Sequence, residues 1–294
     1  MTHDEHARRS VEMLLGILDL DSSDARTTED IFTGVSHPMP TGRIYGGQVL
    51  GQSIIAAERT MPEGRVPHSM HGYFLRAGDA SQGLTFAVDR IHDGRSFSTR
   101  RAQAYQNGVP IFSMIASFQD ENPGIEHAEP MPEGIPDPED LEPDEALSDG
   151  IHPLSRRMLT DRPVDMRHVE GPLFGAAGAE DSAHQAVWMR MRAPFPDDPA
   201  LHRAALAYLS DMSIQESILR AHGLSWNLPG LKVASLDHAM WWHRPGRVDD
   251  WLLYVQESPN ARGGRGLATG RIYDRSGGLV ASVAQEITIR VPEA

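Results

Sequence analysis

The chain has 294 residues, 40% of them hydrophobic and 23% charged, with no cysteine and a formal net charge of −14. That length suits two domains or one large one, and the apolar content excludes a disordered chain. Without cysteine there are no disulfides, thiolate metal sites or cysteine nucleophile, and the chain lacks the basic footprint that nucleic acid requires.

In residues 1–25, Arg8 and Arg9 precede a short apolar stretch that Glu12, Asp19 and Asp21 interrupt, which suits a signal peptide poorly. Val11, Leu14, Leu15 and Leu18 instead share one face of an amphipathic helix. No apolar run is long enough to cross a bilayer and the C-terminal Pro-Glu-Ala is no peroxisomal address, so a cytoplasmic protein without membrane insertion is expected. The next helical segment, residues 46–61, carries Gly47, Gly51, Ala56 and Ala57, with Val49, Leu50, Ile54 and Ile55 spread around it. A helix apolar on most sides is buried. Strand-like runs follow at 68–76, 84–91, 96–106 and 110–119. Residues 120–149 then hold twelve acidic residues and six prolines with no Lys or Arg, so most of the net charge lies here. This composition predicts a mobile linker, 122–150, that packs no core. Beyond it come a strand at 186–192, a long helix at 200–221, and strands at 231–243, 251–257, 266–273 and 279–291.

The same order of elements therefore occurs twice. His71-Gly-Tyr-Phe-Leu-Arg76 lines up with His238-Ala-Met-Trp-Trp-His-Arg244 after one inserted residue, and Tyr105-Gln-Asn-Gly108 with Tyr273-Asp-Arg-Ser-Gly277. A spacing that holds over so long a stretch marks a duplication. One buried helix with four or more antiparallel strands, twice over, is an α+β chain of two fused repeats. The domains expected are 1–121 and 151–294, each a sheet curled around a central helix. Edge strands and an apolar face at Met240-Trp241-Trp242 predict a homo-oligomer.

Several chemistries have no sequence basis. There is no G-x-S-x-G elbow, phosphate-binding loop or H-E-x-x-H helix, and the fourteen histidines are scattered, so no metal is expected. His68 and His71 are three apart, on opposite faces of a strand. In the second helix Asp211 interrupts an apolar run and shares a face with Ala204, Ala207, Tyr208, Ile214 and Ile218. Two readings stand. A desolvated carboxylate there has the raised pKa of a general base. Alternatively Ser210, Asp211 or Ser213 caps a new helix, as the capping-box pattern Ser213-Ile-Gln-Glu216 suggests. Glu58 beside Arg59 is the first-half helix's carboxylate, expected to be solvated, so any site is asymmetric between the halves. Ser235 and Gln285 interrupt apolar strands, as polar residues serving neighbouring backbone groups also do.

The runs Gly46-Gly-Gln-Val-Leu-Gly-Gln52, His68-Ser-Met-His-Gly-Tyr-Phe-Leu-Arg76, Asp93-Gly-Arg-Ser-Phe-Ser-Thr-Arg-Arg101 and Gln106-Asn-Gly108 resemble the type II acyl-CoA thioesterases. Tyr208-Leu-Ser-Asp211, Asp237-His-Ala-Met-Trp-Trp-His-Arg-Pro245 and Ala284-Gln-Glu286 do as well. The resemblance implies a double hot-dog fold, hydrolysis of fatty acyl-CoA without a cofactor, and an Asp, Ser/Thr and Gln set that holds the attacking water. Asp211, Ser235 and Gln285 occupy those positions. Oxyanion stabilisation needs backbone N–H donors, which a glycine-opened helix start supplies, and Gly47 is the candidate. Ser235 is expected mid-strand, with His238 three residues on and facing the other way, so that Ser235 has no base and no elbow to make it a nucleophile. The rivals are an enoyl-CoA hydratase or dehydratase using His68 or His71, although the Gly-Asp-x-Asn-Pro-x-His run of double hot-dog hydratases is absent, and a non-catalytic acyl-CoA binding protein.

Overall fold

The computed structural model describes residues 3–23, 28–147, 151, 153–174 and 182–292. Helix α1 (His3–Leu18) and strands β1 (Asp21–Ser22) and β2 (Asp30–Gly34) precede the central helix α2 (Gly46–Glu58). Strands β3 (Arg65–Phe74), β4 (Leu84–Asp93), β5 (Phe97–Gln106) and β6 (Val109–Asp120) complete the first half. The second half contains α3 (Pro153–Asp161), β7 (Val164–His168), β8 (His184–Met191), α4 (Pro199–Ser210) and α5 (Glu216–Ala221). Strands β9 (Lys232–Ser235), β10 (Asp237–Trp242), β11 (Leu252–Arg262), β12 (Arg265–Asp274) and β13 (Leu279–Arg290) follow.

All the strands join one antiparallel sheet in the order β1-β2-β4-β5-β6-β3-β10-β13-β12-β11-β8-β7, with β9 extending the pairing of β13. The two halves meet where β3 pairs with β10. The sheet wraps α2 and α4, which lie antiparallel. A Cβ on Gly51 would come 3.0 Å from the Ala204 carbonyl oxygen, so the absent side chain is what lets the two backbones touch. Leu50, Ile54, Ala56 and Ala57 of α2 are fully buried beside Ala204, Ala205 and Ala207 of α4. Leu14 and Leu18 of α1 close this core from outside. The chain is a double hot-dog of the α+β class.

Three expectations change. The helix expected over 200–221 ends at Ser210 and resumes as α5, because Asp211 is the C-cap of α4. The strand expected over 231–243 is broken at Leu236. Ser235 lies opposite Ile287 and Ala239 opposite Ala284, so β9–β10 spends four residues where β13 spends three. That extra residue is a bulge. The Leu236 N–H still reaches the Glu286 carbonyl at 2.8 Å, and the Asp237 carboxylate accepts the Glu286 N–H at 2.7 Å. The apolar face expected at 240–242 is also reassigned: Met240 and Trp242 are in the core, and of the three only Trp241 is on the outer surface, edge-on to His71.

Residues 131–144 of the acidic segment pack, contrary to expectation, while 121–130 are exposed as expected. The segment has almost no regular structure of its own, but Met131, Ile135 and Leu141 cover an apolar cluster of Trp188, Trp251, Leu253 and Tyr273 on the outer face of the second half. The buried indole N–H of Trp188 donates to the Pro136 carbonyl, and Arg275 pairs with Asp137 and Glu139 at 2.8 and 2.7 Å. Asp144 is fully buried between Arg162 and His168, each 2.9 Å away, and His168 also reaches Glu216 at 2.8 Å. The two carboxylates hold the imidazole protonated, with its pKa up at about 10, while Asp144 is held down at about 2. Composition alone did not reveal that a stretch rich in proline and acid can lie on a surface offering arginines and indoles.

Candidate active site

Asp211 stands where two helix ends meet. α4 terminates there, exposing the negative end of its dipole, and α2 begins opposite it, presenting N–H groups. The close approach depends on two glycines. A Cβ on Gly46 would lie 2.7 Å from the Asp211 Oδ2, and one on Gly47 would lie 2.3 Å from the Tyr208 carbonyl oxygen. The Gly47 N–H donates to the Asp211 carboxylate across the boundary between the halves. The last carbonyls of α4 are capped by tyrosines: Tyr45 donates to the Tyr208 oxygen at 2.8 Å and Tyr254 to the Ser210 oxygen at 3.0 Å.

From the strands, Gln285 of β13 and Ser235 of β9 meet this carboxylate. The Gln285 Nε2 donates to the Asp211 Oδ1 at 3.0 Å and to the Ser235 Oγ at 2.7 Å, and Ser235 donates to the same Oδ1 at 3.4 Å. Gln285 is fully buried and Asp211 only 4% exposed. Burial disfavours the charged carboxylate more than the three hydrogen bonds favour it, and the Asp211 pKa is pushed up to about 6. Of the two sequence readings, the structure fits the desolvated carboxylate, able to take a proton near neutral pH, and overturns the capping box: Gln215 is the N-cap of α5 without a side-chain bond, and Asp211 is instead the C-cap position of α4.

Sequence reasoning turned His238 outward, weighed Ser210 only as a cap, and did not single out Tyr45 or Tyr254. The bulge at Leu236 resets the alternation, so His238 faces inward with Ser235 instead of away from it. It is buried between Gln285, whose Oε1 meets its Nδ1, and Ser210, whose Oγ lies 2.9 Å from its Nε2. Burial lowers its pKa to about 4, leaving the ring neutral. The signal available in the sequence was the polar pair Ser210-Asp211 inside an apolar helix. His68 contacts Ser117 at 2.8 Å and His71 is on the outer face, so neither joins Asp211. Among the described residues no group of three His, Asp or Glu side chains is placed so as to hold a metal ion.

The other end of the helix pair lacks these features. Glu58 is the thirteenth residue from the start of α2, as Asp211 is from the start of α4, and Gly51 and Ala204, each the sixth, touch at the centre. Glu58 is therefore the counterpart of Asp211. It is not solvated as expected but is mostly buried and paired with Arg203. Where Gly47 donates to Asp211, the Ala200 N–H is taken by the Asp198 side chain at 2.9 Å. The β3–β10 ladder centres on the His71–Ala239 pair, so Met70, which faces Ala116, takes the place of His238, which faces Gln285. The sequence repeat had paired His71 with His238, one residue out of register.

The description "Acyl-CoA thioesterase" fits residues 156–288, and "Acyl-CoA thioesterase N-terminal domain" fits residues 35–119. Over 96% of its length the chain is 37% identical to the Mus musculus acyl-coenzyme A thioesterase 8, covering 90% of that protein. The chain belongs to the acyl-CoA thioesterase family. It is also 34% identical to acyl-CoA thioesterase 2 of Haemophilus influenzae, with 95% and 98% of the two chains covered. An acyl-CoA thioesterase II from Mycobacterium marinum, solved by crystallography, shares 42% identity and superposes with a TM-score of 0.77 over 95% of this thioesterase chain and 99% of that one.

Proposed function

We propose that this thioesterase hydrolyses fatty acyl-CoA to free fatty acid and CoA by direct attack of a water activated at Asp211. The observation that carries the mechanism is the buried carboxylate at the junction of the two helix ends, held by Gln285, Ser235 and Gly47. Asp211, ionised above about pH 6, accepts a proton from the water as its oxygen adds to the thioester carbon. The long Ser235–Asp211 contact leaves that hydroxyl able to turn towards the water, and Gln285 keeps serine and carboxylate on either side of it. The thioester oxygen becomes an oxyanion beside the start of α2, where we assign Gly47 as donor, its N–H shared between Asp211 and the carbonyl. Collapse breaks the C–S bond and returns the proton to the departing CoA sulfur. Ser235 carries no acyl group at any stage, and no cofactor takes part.

We read the chain as two catalytically unequal units, 1–121 and 151–294, joined by 122–150. No described helix is long and apolar enough to cross a membrane. We place the protein in the cytoplasm, acting without nucleic acid, and as a homo-oligomer joined through the outer face around Tyr73, Ile115 and Trp241. Tyr73 is 62% and Ile115 49% exposed there. Light scattering at micromolar concentration should give at least a dimer, and a monomeric mass would contradict this.

The deciding assay measures CoA release from saturated acyl-CoAs of increasing chain length, with enoyl-CoA hydration followed in parallel. Hydrolysis that Asp211→Asn abolishes is expected. Hydration without CoA release would make this a hydratase, and binding without turnover an acyl-CoA carrier.

A further inference from the structure

The hydrogen bonds around Gln285 have a direction that the carboxylate imposes. An ionised Asp211 only accepts, so the end of the amide facing it must be the NH2 group, as found. The Oε1 then points at the His238 Nδ1, which has to carry a proton. The buried ring is neutral, so its Nε2 is bare and accepts from the Ser210 hydroxyl, whose single proton it shares with the Ala207 carbonyl, also 2.9 Å away. The polarity runs in one sense: Ser210 donates to His238, His238 to Gln285, and Gln285 to both Asp211 and Ser235. The ionisable groups facing this chain are Asp211, Tyr45, Tyr208 and Tyr254, and the three phenols stay protonated because burial raises their pKa values.

We propose that His238 is a positioning residue, whose Nδ1–H fixes which end of the Gln285 amide faces Asp211 and Ser235. The inference rests on the catalytic assignment of Asp211, Ser235 and Gln285 above. Without this donor the carboxylate alone distinguishes the two ends of the amide, and it does so only while it is ionised. A flipped amide sets a lone pair against the carboxylate and withdraws the donor from Ser235, loosening the place where the water is held. Three features agree with a steering role. His238 is buried with both ring nitrogens engaged. The bulge at Leu236, which turns it inward, is placed between Ser235 and His238 themselves. Its counterpart in the half without a carboxylate site is Met70, facing Ala116, where no amide needs orienting.

The test uses two substitutions of similar size in the full-length protein. His238→Asn puts an amide nitrogen close to the Nδ1 position and keeps a donor for Gln285, whereas His238→Gln reaches the Nε2 position by Ser210 and does not. His238→Asn should retain kcat within about threefold, while His238→Gln should lose about tenfold or more, the effect of leaving one buried acceptor unmatched, with KM little changed. The acid limb of the kcat/KM profile should move upward in His238→Gln, because a flipped amide no longer stabilises the ionised Asp211. In a Gln285→Ala background neither His238 change should slow the enzyme further. Equal losses in the two variants, or losses that multiply with Gln285→Ala, overturn the proposal and leave His238 a packing residue. Full activity in Gln285→Ala itself would instead overturn the water-holding set on which the proposal rests.

Discussion

Asp211→Asn tests the site on two independent axes, rate and stability. The substitution keeps the shape of the side chain, and its Oδ1 still accepts from Gln285, so substrate binding should be preserved. It removes the proton acceptor, for which a loss of about 10²–10⁴ in kcat is expected with KM within about twofold. With its pKa at about 6, Asp211 is roughly nine-tenths ionised at pH 7 and one-tenth at pH 5. The parent should therefore lose about tenfold in kcat/KM between them, with a limb that the variant lacks. Stability should move the opposite way. A carboxyl whose folded-state pKa is raised from 3.8 to about 6 binds its proton more tightly when folded. The stabilisation is full below pH 3.8 and lost as pH rises through 6. Above that, the buried charge costs the parent on the order of 3 kcal/mol, two pKa units at about 1.4 each. Asp211→Asn should therefore unfold at higher urea concentration than the parent at pH 8, and this advantage should shrink towards pH 4. Free CoA separated by chromatography gives the rate without a pH-sensitive dye. A variant that keeps kcat within about fivefold, or keeps the acid limb, refutes Asp211 as the base.

Four further outcomes follow from the geometry. Gly47→Ala would drive a Cβ to 2.3 Å from the Tyr208 carbonyl, so it should cost both CoA release and melting temperature, whereas alanine at the open Gly16 should cost neither. Asp144→Ala removes one carboxylate from a buried imidazolium, should destabilise by about 3–5 kcal/mol, and should open residues 122–147 to limited proteolysis; cleavage no faster than in the parent would count against the anchor. In the parent, the contribution of His168 is full below pH 6.5 and lost as pH rises through about 10, and that of Asp144 is full above pH 3.8 and lost towards about 2, so the segment should release at either extreme. Ser235→Thr should keep most activity and Ser235→Ala lose it without any acyl-enzyme visible by mass spectrometry, and a burst of CoA with acyl mass on the Ser235 peptide would make the enzyme a covalent hydrolase.

Periodicity was sufficient for the central helix, whose small and apolar positions require burial on every side, and for most of the strand pairs. It failed wherever one residue changes the count. Alternation put His238 outside because nothing in Ser235-Leu-Asp-His238 marks Leu236 as the extra residue; its N–H is satisfied and its side chain is an ordinary strand residue. The long helical pattern over 200–221 concealed a break because Ile214 and Ile218 continue the apolar spacing past Asp211, although α4 has already ended and Ile218 belongs to α5. Short β7 went unseen beside an uneven stretch, yet it carries His168, which ties the acidic segment down. The resemblance supplied Ser235 and Gln285, which pattern alone could not separate from ordinary strand polar residues.

The antiparallel helix pair has an evolutionary corollary. Two identical subunits arranged this way would form two equal clefts, and a substitution that improved a residue for one cleft would also appear at the opposite end. Joining the copies in one polypeptide lifts that constraint. On the mechanism proposed above, one copy is free to keep glycines for a backbone donor and the other an acid for the proton, while Glu58 pairs with Arg203 at the far end. On that reading, fusion lets a single catalytic centre draw complementary parts from two sources, at the expense of a second centre.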